Sequence, residues 1–345
     1  MKIIVRGTNW IGDSVMSIPA LRALRQVFPD AEITLHTRSW AEEIFRDAEF
    51  IDHLITYDRP QSSFTEVRSQ AKVLRQNKFD IAVVFPSSFA SALTARLARI
   101  PQRIGYSKES RRLLLTDAID IPAWKSERPE AFYYLKLVEE LESRIPGTST
   151  TSSIEPSISL TISDERRDAA REFLRVKGID FAKPLVAFGP GSTNSIAKRW
   201  PADQYAELAD RLAETDANII LVGGPDDRDA GESIISKMNS RVLNLIGETS
   251  LGEASAILSV CDLMISNDMG LAHLAPAVGT RTIVLFGPTN PVTTRPLSEL
   301  AKVIRVDVEC SPCMLRDCPI DHRCMTRITV DQVFESAVAA LKTND

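Results

Sequence analysis

Short runs of β-branched and apolar residues recur through the first third of the chain: Lys2–Arg6, Glu32–His36, His53–Tyr57, Ile81–Phe85, Arg103–Tyr106 and Ala118–Ile121. Between several of them the apolar positions recur every three to four residues. Val15, Ile18, Leu21, Leu24 and Phe28 fall on one helix face. Strands alternating with helices predict a parallel sheet covered on both faces. The pattern stops at Pro146–Ser153, a stretch of small polar residues that reads as a linker or exposed loop. It then resumes with Leu185–Phe188, Asn218–Val222, Val242–Ile246, Leu263–Ser266, Thr282–Phe286 and Val303–Val306. Pro201 suits a first helical position, with Tyr205, Leu208 and Leu212 on one face. Ser250 and Glu253 have capping-box spacing. The pattern predicts an α/β protein of two doubly wound domains, residues 1–155 and 156–345. Ligands of such sheets bind beyond the carboxyl ends of the strands, so two facing domains would place a cleft between two such rims.

Composition narrows the class. The chain has 345 residues, 44% of them hydrophobic and 25% charged, which is ordinary for a globular protein. Disordered, collagen-like and small disulfide-stapled chains are excluded. The formal net charge of −5 weighs against a nucleic-acid partner held by bulk charge. Residues 1–155 carry 21 basic and 20 acidic groups, whereas residues 156–345 carry 20 and 26. A large anionic partner is therefore expected at the first half. No run of 18 apolar residues exists, and MKIIVRGTNW lacks the apolar core and cleavage site of a signal peptide. A cytoplasmic protein is expected. All five cysteines lie after residue 260 and read as thiols or metal ligands rather than disulfides.

Candidate chemistry sits at the ends of predicted strands. The first strand runs into Gly7-Thr-Asn-Trp-Ile-Gly-Asp13, which is neither a dinucleotide fingerprint nor a P-loop. Asp13 reads either as a helix N-cap or as a carboxylate base facing the cleft. The strand ending at Phe188 enters Gly189-Pro-Gly-Ser192-Thr193-Asn-Ser-Ile-Ala-Lys198-Arg-Trp-Pro201. Glycines, hydroxyls and a lysine suit a phosphate group; the alternative is an ordinary polar loop. Asp227 could accept from ribose hydroxyls or serve plain turn chemistry. In Ser266-Asn-Asp268-Met269-Gly270-Leu-Ala-His273, a helix opens directly after a carboxylate, with an imidazole one turn in. That makes an anion site, unless Asp268 is a cap and His273 a buried core histidine. Phe286-Gly-Pro-Thr289 adds a further polar turn. Together these positions read as a site for a diphosphate nucleotide, with an acid or base opposite.

On these motifs the chain resembles the ADP-heptose:lipopolysaccharide heptosyltransferases along nearly its whole length. They are inverting glycosyltransferases of the GT-B type, with two facing Rossmann-like domains. Its opening, Thr8-Asn9-Trp10-Ile-Gly-Asp13, is more similar to the second heptosyltransferases than to the first. The resemblance implies an N-terminal acceptor domain and a C-terminal nucleotide-sugar domain. It implies Asp13 as general base on the acceptor hydroxyl. Ser192, Thr193, Lys198 and the helix opening at Met269 and Gly270 would stabilise the departing diphosphate. Asp227 would hold the nucleotide ribose, Asp268 the sugar hydroxyls, and His273 would sit near the diphosphate, with Thr289 also in the donor site. The implied donor is ADP-heptose and the implied acceptor Kdo-lipid A or heptosyl-Kdo-lipid A, with no cofactor required. Alternatives are the first or a later heptose addition, a nucleotide-sugar epimerase on the same fold, or a binding module without turnover. The basic stretch Ala95–Arg112, with Arg96, Arg99 and Arg103, is the candidate surface for the anionic acceptor or for anionic lipid at the inner face of the membrane. The alternative is a solvated helix face. Cys310, Cys313, Cys318 and Cys324 form a four-thiol cluster, the candidate for a structural zinc or a metal-free loop staple.

Overall fold

Twelve strands form where the apolar runs lie, in a computed structural model that describes residues 1–58, 63–145 and 149–342. In the first unit, Met1–Ile158, they are β1 (Lys2–Arg6), β2 (Glu32–Arg38), β3 (His53–Tyr57), β4 (Ile81–Val84), β5 (Gln102–Tyr106) and β6 (Asp117–Ile119). In the second, Ser159–Asp345, they are β7 (Leu185–Gly189), β8 (Asn218–Leu221), β9 (Leu243–Asn244), β10 (Leu263–Asn267), β11 (Arg281–Phe286) and β12 (Ala301–Arg305). Each unit holds one six-stranded sheet, in the orders β3-β2-β1-β4-β5-β6 and β12-β11-β10-β7-β8-β9. Every pairing is parallel. Counted within its own unit, each sheet has the order 3-2-1-4-5-6 of a Rossmann fold, and no helix of the described residues is long and apolar enough to cross a membrane.

That order sets where ligands go. The chain leaves the central strands β1 and β4 in opposite directions, which opens a crevice beyond their carboxyl ends. β7 and β10 are the same pair in the second unit. The central strands are buried on both faces: Ile3, Ile4 and Val5 of β1 are at most 2% exposed, and Leu185–Phe188 of β7 at most 1%. Such strands read as continuous apolar runs, which is why they were legible.

Local chemistry adjusted several expected boundaries. The helix through Val15 and Phe28 is two helices, Ile11–Met16 and Ile18–Val27. Pro19 has no N–H for the carbonyl of Val15, and its ring crowds that carbonyl, so the ladder breaks at Ser17. Pro201 is the N-cap of helix Ala202–Glu214, one residue outside it. Ser250 and Glu253 form the expected capping box on helix Leu251–Leu258. Within the expected Pro146–Ser153 linker, residues 146–148 lie outside the described residues, and Thr151–Ser153 is a single 3-10 turn.

Candidate active site

Asp13 stands at the switch point of the first sheet. Trp10 is the N-cap of helix Ile11–Met16 and Asp13 its third residue, so the cap reading of Asp13 does not hold. A carboxylate in that first turn is favoured by the helix dipole. The Tyr134 hydroxyl, on helix Glu130–Glu142, donates to Asp13 Oδ1 at 3.4 Å. Burial and the charges of Asp13 and Glu130 hold that phenol well above its ordinary pKa, so it remains a donor. Asp13 lines a cavity of about 190 Å³ with Trp10, Phe85, Glu130, Tyr133 and Tyr134. Trp10 is 56% exposed beside it. An exposed indole and phenol rings around a carboxylate suit a sugar, whose C–H faces pack on aromatic rings while its hydroxyls bond the polar groups. Sequence reasoning missed Phe85, Glu130, Tyr133 and Tyr134. Phe85 directly follows β4 and the others lie on a helix far along the chain, so only the sheet order brings them to Asp13.

The second sheet carries a denser cluster. Lys198 ends a short 3-10 turn, Ile196–Lys198. Its Nζ lies 2.9 Å from Asp268 Oδ2 and 3.3 Å from the Asp268 carbonyl. Thr289 donates its hydroxyl to the same Oδ2 at 2.7 Å. Asp268, Thr289 and His273 are buried, and Lys198 keeps 26% of its side chain exposed. Met269, rather than Asp268, is the N-cap of helix Gly270–Ala277. Burial pushes the His273 imidazole down to about 4, so it is neutral at pH 7 and offers a hydrogen bond rather than a charge.

Asp227 closes one side of the Gly191–Ser192 turn, accepting from the N–H group of Gly224 at 3.1 Å. A Cβ on Gly191 would sit 2.0 Å from the Asp227 carboxyl carbon, so only glycine fits there. Burial raises the Asp227 pKa, opposed by Arg199, whose Nη2 lies 4.0 Å away. Ser192 is buried and Thr193 exposed. The sequence reading passed over two residues of this region. Arg199 also donates to the Ser192 carbonyl at 3.4 Å. Asn267 bonds Pro190 O, Gly191 O, Trp200 N and the Tyr205 hydroxyl, and so ties both ends of the loop that carries Lys198.

Other candidates lie elsewhere. Arg96 lies in the last turn of helix Phe89–Leu97, Arg99 follows that helix, and Arg103 is the second residue of β5. All three are at the amino ends of the strands, away from Asp13, because that helix runs back from the carboxyl rim. Arg103 is committed to the carbonyls of Leu114, Ile100 and Pro101. Arg111 is fully buried and donates to Pro86, Ser88 and Tyr106 carbonyls, bracing the turn after β4. The cysteines lie near one another, the charges of Cys310, Cys313 and Cys318 reaching Cys324, while no three His, Cys, Asp or Glu side chains among the described residues form a metal-holding group. Cys324 is buried against Gly287, Cys318 Sγ accepts from His322 N at 3.3 Å, and Cys313 is exposed. A cavity of about 330 Å³ beside edge strand β9, lined by Phe173, Lys177 and Arg228 among others, contains none of the predicted site residues.

Two Rossmann-like units, with a carboxylate at one switch point and a cation–hydroxyl cluster at the other, have the architecture of glycosyltransferases of the GT-B type. Residues 67–323 match glycosyltransferase family 9 (heptosyltransferase), and the chain belongs to that family. It is 33% identical to lipopolysaccharide heptosyltransferase 2 of Salmonella typhimurium and 32% identical to that of Escherichia coli. Each alignment covers 89% of this chain and 88% of the relative. The solved structure of E. coli ADP-heptose LPS heptosyltransferase II superposes with a TM-score of 0.84 at 29% identity, covering 100% of this chain and 99% of that one.

Proposed function

We propose that this enzyme transfers heptose from ADP-heptose to the inner core of lipopolysaccharide, making the second heptose addition onto heptosyl-Kdo-lipid A. The observation that carries the reading is the Lys198–Asp268–Thr289 cluster at the β7/β10 switch point, in a chain one-third identical to heptosyltransferases 2. Asp13 takes the proton from the acceptor hydroxyl as that oxygen attacks the anomeric carbon. The bond from that carbon to the ADP oxygen breaks on the opposite face, so the configuration inverts. Negative charge grows on the departing diphosphate. Lys198, Ser192, Thr193 and the N–H groups at Met269 and Gly270 stabilise it, taking the place a divalent metal holds in other transferases. Asp227 and Arg199 hold the nucleotide end, and Asp268, Thr289 and neutral His273 bind the sugar.

The acceptor's sugars occupy the aromatic cavity at Asp13, and its lipid keeps the protein at the inner face of the cytoplasmic membrane. Leu113 supports that contact: it is 86% exposed and follows Arg112, with Lys108 nearby, on the carboxyl side of β5. Cations around an exposed apolar tip suit an anionic lipid surface.

The test is ADP release from ADP-heptose with three conditions: heptosyl-Kdo-lipid A, Kdo-lipid A, and no acceptor. Release that depends on heptosyl-Kdo-lipid A supports the second addition. Release with Kdo-lipid A alone moves the enzyme to the first addition. Silence with both, in protein that binds ADP, refutes the donor–acceptor pair.

A further inference from the structure

Lys198 does not sit on a regular element of the sheet. The twelve-residue path from β7 to helix Ala202–Glu214 contains one 3-10 turn, so the backbone groups around Lys198 must find partners elsewhere. They find them some 120 residues further along, in the cysteine-rich segment Val308–Cys324. Ala197 N donates to Arg316 O at 3.0 Å. The Ser195 hydroxyl lies 3.1 Å from Arg316 O and 3.3 Å from Leu315 O. His322 Nε2 donates to Ala197 O at 2.6 Å. The same segment also grips the turn that carries Thr289. Ser311 Oγ donates to Gly287 O at 2.6 Å, and Met314 N to Pro288 O at 2.8 Å. Below them, Cys324 and Met325 pack so closely on Gly287 that a Cβ there would lie 2.4 Å from the Met325 sulfur.

One strap therefore holds both loops whose side chains meet on Asp268. We propose that Val308–Cys324 is the positioning element of the donor site, and that His322 is a positioning residue that fixes Lys198 through the Ala197 carbonyl. This rests on the reading of that site as the ADP site. Two cysteines help seat the strap: buried Cys324 anchors its base, and the Cys318 sulfur accepts from the His322 N–H. Preorganisation of this kind matters because a cation displaced by an ångström loses much of its hold on a developing charge.

Linkage makes the proposal testable from both ends. If the strap positions the site, ADP must hold the strap by the same factor. We expect His322→Ala to raise the ADP Kd about tenfold by calorimetry, and to raise KM for ADP-heptose more than it lowers kcat. His322→Gln, which retains an N–H donor, should recover most of the loss. A merely destabilising role would lower Tm but leave the Kd of the folded protein unchanged. The second measurement uses the unaltered protein, so a variant that fails to fold does not stop the test. Alkylation of buried Cys324, followed by mass spectrometry, should slow about tenfold in saturating ADP. Cys261, buried at the end of helix Leu251–Leu258 away from the strap, should slow less. Equal protection of the two thiols, or an unchanged Kd in folded His322→Ala, overturns the strap and leaves the ADP site standing. Absence of ADP binding to the unaltered protein removes the site reading, and the strap with it.

Discussion

The two switch points are built differently. At β7/β10 the polar groups are already paired: Lys198, Thr289 and Asp268 meet within 3 Å, Asn267 ties the loop ends, and a distant strap holds the backbone. At β1/β4 Asp13 faces an aromatic cavity, with the Tyr134 hydroxyl at 3.4 Å. The contrast matches the two tasks. A diphosphate brings a fixed charge, and donors aimed in advance stabilise it without reorganisation. A base must instead face the space into which the acceptor hydroxyl arrives.

Four experiments press on that contrast, the largest expected effect first. Asp13→Asn should lower transfer at least about a thousandfold, since an amide is no base, while the ADP Kd measured by calorimetry stays put. A folded Asp13→Asn protein with near-normal turnover ends the assignment. Acid should weaken the second unit through His273. Its folded pKa of about 4 lies below the ordinary 6.5, so the unfolded chain binds the extra proton. Stability is then full above about pH 6.5 and falls as pH drops toward 4, by an amount on the order of 3 kcal/mol. Urea midpoints should fall over that window, and less steeply in His273→Gln.

Lys198→Ala comes next, with an ADP Kd raised about tenfold to a hundredfold and a loss in kcat. An unchanged Kd would take the lysine out of the site. Smallest is Tyr134→Phe. It removes one hydrogen bond to the carboxylate, so kcat should drop about threefold to tenfold while ADP affinity is unaltered. A rate equal to that of the unaltered enzyme would show that Asp13 needs no such partner.

Legibility followed the same division. The strand runs and the residues at their carboxyl ends were readable because a two-face-buried parallel strand is a continuous apolar run, and the polar residue that ends it faces the ligand. Lys198, Asp268 and Thr289 were named on that basis, and they meet in the fold. Tyr134, Glu130, Arg199 and His322 were not named, for each acts through a neighbour that is remote in the chain or, like Arg199, hidden beside a better-known residue. The basic stretch divides in the fold for a related reason. Six cations between Arg96 and Arg112 look alike in a string, yet the turn after helix Phe89–Leu97 sends Arg96, Arg99 and Arg103 to one rim and Lys108 and Arg112 to the other, and buries Arg111.

By itself, the sequence determined the α/β class, the twelve strands and the polar residues at their ends. Those depend on local periodicity and on the burial that a repeated apolar run demands. Only the tertiary structure decided which ends become neighbours. Strand order, the direction of each returning helix and a strap some 120 residues downstream set those distances, and none of them is a local property of the chain.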